Sequence, residues 1–507
     1  MTDKKERITI ADLMAQSRVG FGTSGARGLV ADMSDRVCYA YTLGFLQYLA
    51  AQGQVATGSP VAIAGDYRSS TPRIMGAAAL AIEALGYRPV NCGFIPTPAL
   101  TLYGITGAIP SLMVTGSHIP DDRNGIKFNR PDGEILKHDE AAIRSQQVEI
   151  PAGLFSHDGM LKRAPTLPKE NPQACQDYRQ RYLDLFPQGA LQGCRIALYE
   201  HSSVARQVMG DIFEGLGAEV TRLHRSKAFI PVDTEAVRPE DIELAQKWAL
   251  THNFDAVVSA DGDGDRPLIS DEQGHWLRGD VAGILCARYL GADCVVTPVS
   301  SNSAVEKCGW FKRVDRTRIG SPYVIEAMHS ALREGVNNVV GYEANGGFLS
   351  ATDMELEGGR LPALPTRDAV IVPLAILLLA RGAGCTISKL LTQLPQRFTH
   401  SDRLKNFPTE LSRSRIAALN SGDFDRDSAA VASLFGAPFG RVKSLDTTDG
   451  LRITFESDEV VHLRPSGNAP ELRCYTEADS APRAAEMNRL SMEILARWGD
   501  SQGDKSH

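Results

Sequence analysis

The sequence is short of three things: paired cysteines, long apolar runs and positive charge. Its nine cysteines are odd in number and scattered from Cys38 to Cys474, with no CxxC pair. That pattern argues against a disulfide framework and for plain buried thiols in a cytosolic redox setting. The opening MTDKKERITI holds no apolar stretch of signal-peptide length, and the longest uncharged apolar run, AVIVPLAILLLA at 369–380, falls well short of a membrane span. A cytoplasmic protein with no membrane segment is expected. The formal net charge is −7, the wrong sign for a general nucleic-acid binder, which needs a basic surface. Local Arg and Lys would have to meet any anionic substrate.

What is present is an ordinary globular composition, 43% hydrophobic and 23% charged over 507 residues, enough for about three or four domains. Up to about residue 385 one α/β plan recurs three times. Each third opens on an apolar strand running into a small-residue loop: PVAIAGDYRSST at 60–71, CRIALYEHSSVA at 194–205 and CVVTPVSSNSA at 294–304. Each third closes on a strand delivering a charged or glycine-bearing loop: SLMVTGSH at 111–118, DAVVSADGDGD at 255–265 and NNVVGYEANGG at 337–347. Helical patterns such as 71–86 and 321–335 lie between, each ending on a glycine suited to a C-cap. Alternating strands and helices predict mixed or parallel sheets covered on both faces, with ligands at the strand-end loops.

The expected boundaries give domain I at 1–170, domain II at 171–277, domain III at 278–397 and domain IV at 398–507. The Pro-rich stretch APTLPKENPQ marks the first linker. After Phe398 the pattern changes to hairpins, with DGLRITF and EVVHLRP around an SD turn, then a closing helix APRAAEMNRLSMEILARWG and a frayed tail DSQGDKSH.

Four loops can carry chemistry. Thr115-Gly116-Ser117-His118 is either a simple turn or a hydroxyl placed to accept phosphate, with Arg123 and Lys127 near; it is not a GxSxG elbow. Asp261, Asp263 and Asp265 with Glu272 at the twelfth place match the ligand count of an EF-hand, but Arg266 and Pro267 break that loop and its flanks are strand-like. Three close carboxylates suit Mg²⁺ instead, while an acidic turn that binds nothing would have to bear their mutual repulsion. Glu343 and Asn345, set among glycines, can hydrogen-bond vicinal hydroxyls. Arg464, Ser466, Gly467 and Asn468 offer a guanidinium, a hydroxyl, an amide and backbone N–H groups to a phosphate dianion.

Taken in order, FGTSGARG, GDYRSS, PTPAL, TGSHIPDDRNGIKF, DGDGDR, GYEANGGF and RPSGNAPELR resemble the ordered motifs of the α-D-phosphohexomutases, most closely those of the bacterial phosphomannomutase type, over essentially the whole chain. The resemblance implies three related α/β mixed-sheet domains and a C-terminal α+β domain around a central cleft. It implies that Ser117 carries a phosphoryl group, and that Ser117 with Asp261, Asp263 and Asp265 holds one Mg²⁺ per chain. Arg27, His118, Lys127 and Arg266 would line the transfer site, with Lys127 and His118 as candidates for proton transfer. Glu343, Asn345, Arg464, Ser466, Gly467, Asn468 and Arg473 would bind substrate. The implied reaction interconverts mannose 6-phosphate and mannose 1-phosphate through a hexose 1,6-bisphosphate that also serves as activator; a glucose-specific or dual-specificity mutase is the alternative. A phosphatase and a calcium-binding non-enzyme are more distant ones. The implied partner is a small hexose phosphate, and the implied assembly a monomer or homodimer. The loop EHSSVAR departs from the glycine- and asparagine-bearing loop of that family, and TRIGSPY carries Arg318 where a lysine is common.

Overall fold

The stretches SLMV, AVVSA and VVGY form strands Ser111–Val114, Ala256–Ala260 and Val339–Tyr342, buried along their whole length in the computed structural model. Burial on both faces is what central strands sandwiched by helices require. The structure describes residues 5–22, 25–466 and 470–500. Of the tail expected to fray, 500–507, Asp500 ends the helix Ala481–Asp500, and 501–507 lie outside the described residues.

The strand that opens each third lies next to the one that closes it. Pro60–Gly65 runs parallel to Ser111–Val114, Arg195–His201 parallel to Ala256–Ala260, and Cys294–Pro298 neighbours Val339–Tyr342. Each closing strand then turns back into an antiparallel partner: Arg123–Arg130, Pro267–Ile269 and Phe348–Ser350. The three connections, at 115–122, 261–266 and 343–347, thus leave their sheets at equivalent places. They are the serine, aspartate and glutamate loops. The sheets are mixed, as expected, and the first is the largest, with seven strands.

The expected helices form as Thr71–Ala84 and Ser321–Arg333, followed by Gly86 at φ 78° and Gly335 at φ 81°, the left-handed conformation that ends a helix cheaply only at glycine. Helix Asp35–Ala51 buries most of its residues against the first sheet, where Phe45 and Phe128 meet with ring centroids 4.9 Å apart. The Pro-rich stretch has no regular structure before helix Gln173–Leu183, yet it is tied down. Asn171 N donates to Asn91 O at 2.7 Å, and a Cβ on Gly76 would stand 2.3 Å from Pro165 Cγ.

The chain divides into two compact units, Met1–Val295 with Gly320–Leu391, and Val296–Ile319 with Thr392–His507. The second carries a five-stranded antiparallel sheet in the order Phe398–Lys405, Glu471–Ala478, Val460–Pro465, Leu451–Phe455, Val442–Asp446. The hairpin at the SD turn is present, with Asp458 at φ 62°. The hairpin expectation for this region did not include the helices Thr409–Ala417 and Phe424–Phe439. The second had a legible signal, since its buried residues Asp427, Val431, Phe435 and Phe439 fall at four-residue steps behind the N-cap Asp423. Segment 296–319 joins this unit through specific bonds: the Glu477 carboxylate accepts from Ser303 N at 3.0 Å and from its hydroxyl, and Asp449 Oδ2 accepts from Ile319 N at 3.0 Å.

Phe435 is fully buried in the core of this unit beside Phe439, whose ring meets Phe455 at 5.4 Å. Phe435→Ala is expected to destabilise the unit by about 3–5 kcal/mol through lost transfer energy and a cavity. A fall in the urea midpoint of that unit's transition measures it.

Candidate active site

Ser117 follows strand Ser111–Val114 and sits at φ 57°, a left-handed conformation rarely adopted by a residue with a side chain. Arg68 holds it there. Buried to 1% exposure, the Arg68 guanidinium donates from Nη2 to Ser117 O at 2.8 Å and Ile119 O at 2.5 Å, and from Nη1 to Pro120 O at 2.6 Å and Arg123 O at 3.0 Å. Its Nε donates to Asp66 Oδ2 at 3.0 Å, and its Cζ lies 4.0 Å from the centre of the Phe229 ring. Asp66 also accepts from Thr115 Oγ1 at 2.7 Å, and Thr115 Oγ1 accepts from Ser117 N at 2.7 Å. All five guanidinium donors are thus directed at acceptors, three of them on the serine loop and a fourth at Arg123 where the next strand begins, so the loop has one shape.

The aspartate loop meets this serine directly. Ser117 Oγ donates to Asp261 Oδ2 at 2.6 Å. A side chain on Gly262 would place Cβ 2.7 Å from Ser117 O, so only glycine permits that approach. Successive carbonyls of the loop are held from outside: Ala260 O by His201 Nε2 at 2.7 Å, Asp261 O by Ser203 Oγ at 2.7 Å, Gly262 O by Val204 N at 3.1 Å and Asp263 O by Thr97 N at 2.9 Å. The departing loop EHSSVAR therefore fixes the backbone from which the three carboxylates project.

Lys127, on strand Arg123–Arg130, bridges Asp263 Oδ2 at 2.6 Å and Asp265 Oδ2 at 2.5 Å, and Thr97 Oγ1 donates to Asp263 Oδ2 at 2.6 Å. Burial and the charges of Asp263 and Asp265 push the Asp261 carboxyl well above the usual range. Burial acts on Asp263 in the same direction, but Lys127, Thr97 and Arg367 together outweigh it and hold Asp263 below its usual value. Burial would lower Lys127, and Asp263 and Asp265 together more than reverse that, so it stays an ammonium. His118 is pushed down to about 3 by burial and then by Arg266, whose Nη1 donates to its Nδ1 at 2.9 Å. The ring is neutral, with Nδ1 as acceptor. Arg27, half-buried on strand Gly25–Leu29 opposite Gly125, is lowered to about 10 by burial, with Arg266 adding to it.

The three aspartates fit a metal. One carboxylate oxygen from each lies within 4.8 Å of the others, and all three residues are fully buried. Asp263 Oδ1 and Asp265 Oδ1 are buried with no hydrogen-bond partner in the protein. Orphaned carboxylate oxygens beside a third carboxylate are the donor set of a hard divalent cation. Glu272 does not share the site: its carboxylate accepts from Ser388 N at 3.1 Å and from the Ser388 hydroxyl.

In the glutamate loop, Glu343 is buried and its carboxyl is raised by that burial, opposed by Arg367 and Arg266. Asn345 Oδ1 accepts from Gly347 N at 2.9 Å and Asn345 O from Thr234 Oγ1 at 2.6 Å, so this loop too is fixed. In the C-terminal unit, strand register puts Arg464 directly opposite Arg473, two guanidinium-bearing side chains on one face beside Ser466. Arg464 Nε donates to Asp449 Oδ2 at 2.7 Å. Gly467 and Asn468 lie outside the described residues, as do Thr23 and Ser24 of the FGTSGARG motif.

The structure thus brings Ser117, His118, Lys127, Arg266 and the three aspartates into direct contact. Sequence reasoning assigned no role to Arg68, Thr97, Ser203 or Arg367. The first two stand inside quoted motifs, GDYRSS and PTPAL, and Arg367 stands as a charged pair with Asp368 immediately ahead of the longest apolar run; that placement was the available signal.

Four family models match the chain: phosphoglucomutase/phosphomannomutase alpha/beta/alpha domain I over 18–151, domain II over 178–274, domain III over 278–398 and the C-terminal domain over 418–493. A phosphomannomutase of Salmonella muenchen is 44% identical, covering 94% of this chain and 95% of the relative. A phosphomannomutase of Sinorhizobium fredii is also 44% identical, covering 94% and 98%. Among solved structures, a phosphoglucomutase/phosphomannomutase family protein of Burkholderia thailandensis shares the fold at a TM-score of 0.71 and 18% identity, covering 97% of this chain and 98% of that one.

Proposed function

Because the chain belongs to the phosphoglucomutase/phosphomannomutase family, we propose that it is a cytoplasmic, Mg²⁺-dependent phosphomannomutase interconverting mannose 6-phosphate and mannose 1-phosphate through a phosphorylated Ser117. The carrying observation is Ser117 itself: a buried hydroxyl in a left-handed turn, 2.6 Å from one carboxylate of a buried triad with orphaned oxygens. On this reading the four-part division at 170, 277 and 397 assigns one loop to each domain.

Asp261, Asp263 and Asp265 would hold the Mg²⁺, which when bound neutralises charge on the transferring phosphate. The residues do the rest by position. As the phosphoryl group moves, the P–O bond to Ser117 Oγ breaks and a P–O bond to a free sugar hydroxyl forms. The hydroxyl's proton must reach the serine oxygen, and Lys127, kept as an ammonium by its two aspartates, is the group we assign to give one proton and take the other. His118, neutral and engaged with Arg266, serves instead to orient that guanidinium and, with Arg27, to face the phosphate. Glu343 and Asn345 take sugar hydroxyls, and Arg464, Ser466, Gly467, Asn468 and Arg473 take the non-reacting phosphate. Turning the hexose 1,6-bisphosphate end for end and reversing the transfer returns the other phosphate to Ser117.

A coupled assay of mannose 1-phosphate, glucose 1-phosphate and glucosamine 1-phosphate with a trace of hexose bisphosphate tests the reading. Mannose 1-phosphate is expected to give the highest kcat/KM. Isomerisation of none of the three, or release of inorganic phosphate in its place, would rule the proposal out.

A further inference from the structure

Arg367 has no place in the chemistry above, yet it is a buried cation, 2% exposed, standing between two of the site loops. Its Nη2 lies 2.8 Å from Asp265 Oδ2, in the aspartate loop, and its Nη1 lies 3.6 Å from Glu343 Oε2, in the glutamate loop. Two features show that this position is built. A Cβ on Gly347 would stand 2.5 Å from Arg367 Cδ and 2.7 Å from Cγ. Gly347 is not among the glycines with positive φ, so it is glycine for room, and the room is filled by the arginine stem. The next residue pins the backbone: Asp368 N donates to Phe348 O at 2.9 Å, and the Asp368 carboxylate accepts from Tyr178 Oη at 2.5 Å and from Tyr182 Oη. The two tyrosines lie one turn apart on helix Gln173–Leu183.

A guanidinium is a planar fork whose donors cannot reorient independently, so one buried at ion-pair distance from two carboxylates ties the position of each to the other. Asp265 Oδ1 makes no hydrogen bond, with Arg266 Nε 3.6 Å away, and Glu343 Oε2 makes none either. Asp265 thus keeps Oδ1 for a cation, and Glu343 Oε2, facing the guanidinium without a hydrogen bond, can still accept from a hydroxyl donor. We propose that Arg367 is a positioning residue that couples the metal loop to the sugar loop, so that occupation of one ligand site strengthens the other. The inference rests on the reading of these loops as the metal and sugar sites.

The test uses full-length Ser117→Ala protein, which cannot transfer phosphate, and calorimetry of Mg²⁺ and mannose 1-phosphate, each alone and with the other present. In that parent, Mg²⁺ is expected to tighten sugar-phosphate binding about tenfold, and by linkage the sugar to tighten Mg²⁺ equally. Added Arg367→Met is expected to bring that factor close to one while each ligand still binds. Arg367→Lys, which keeps the charge but not the fork, and Gly347→Ala, which keeps both but displaces the stem, are expected to lower it and remain folded. A merely structural arginine would shift melting temperature and leave the coupling intact, so an unchanged factor in Arg367→Lys and Gly347→Ala overturns the proposal, as does a parent without coupling. Failure of mannose 1-phosphate to bind the parent would count against the phosphomannomutase reading, and the same cycle run with glucose 1-phosphate would then decide the role of Arg367.

Discussion

Ser117→Ala is expected to lower mutase turnover by at least about 10⁴-fold, the scale on which removal of a covalent nucleophile is felt. Neither neighbouring nitrogen group stands free to replace it: His118 is neutral and bonded to Arg266, and Lys127 is engaged with Asp263 and Asp265. The loss should lie in chemistry and not in folding. The bonds that shape the loop are made by the backbone of residue 117, its N–H to Thr115 Oγ1 and its carbonyl to Arg68, and alanine keeps both. Alanine meets the same left-handed backbone that serine does and gives up the bond to the buried Asp261 Oδ2, so stability should fall by about 1–3 kcal/mol. Intact-mass analysis after incubation with hexose bisphosphate should show a single phosphate adduct on the wild type and none on the variant. A variant that isomerises at the wild-type rate, or that takes up the phosphate, removes Ser117 from the mechanism.

What could be read in the sequence divides along a physical line. The strands were legible because buried central strands are continuous apolar runs, and Ala256–Ala260 is buried at all five positions. The helix Thr71–Ala84 was legible because its ending is written locally, in Gly86. The site loops were legible because each directly follows such a strand. The parts that escaped depend on residues distant in sequence. Arg68 reaches carbonyls of residues 117 to 123, about 50 positions on, and no local pattern shows where a guanidinium will end. Ser203 supports Asp261 from 58 residues away, so the sequence of EHSSVAR showed a departure from the family's composition and not the support it gives. The EF-hand count at Glu272 shows the converse error: spacing alone suggested a shared ligand, and the chain carries that carboxylate to Ser388.

Arg68 is the site of the second large effect, and its two substitutions separate stability from catalysis. Arg68→Met strands Asp66, which is fully buried, without its cation; breaking a buried ion pair from one side costs about 3–5 kcal/mol. It also strips donors from four carbonyls, so unfolding of the N-terminal domain at a much lower urea concentration is the expected result. Arg68→Lys keeps a charge near Asp66 and should fold. An ammonium cannot reach Ser117 O, Ile119 O, Pro120 O and Arg123 O from one point, nor lie flat on Phe229, so the serine loop loses its single shape. A displacement of about 1 Å at a reacting atom is worth about 10²-fold in rate, and kcat for Arg68→Lys should fall by that order. The sugar loop is held by other residues, Asn345 by Gly347 N and Thr234, so KM should change little. Single-turnover phosphorylation of Ser117 by hexose bisphosphate should slow in parallel with kcat, because both steps need the same oxygen in the same place. A lysine variant with wild-type kcat, or one whose defect lies entirely in KM, would show that the serine loop keeps its geometry without the guanidinium.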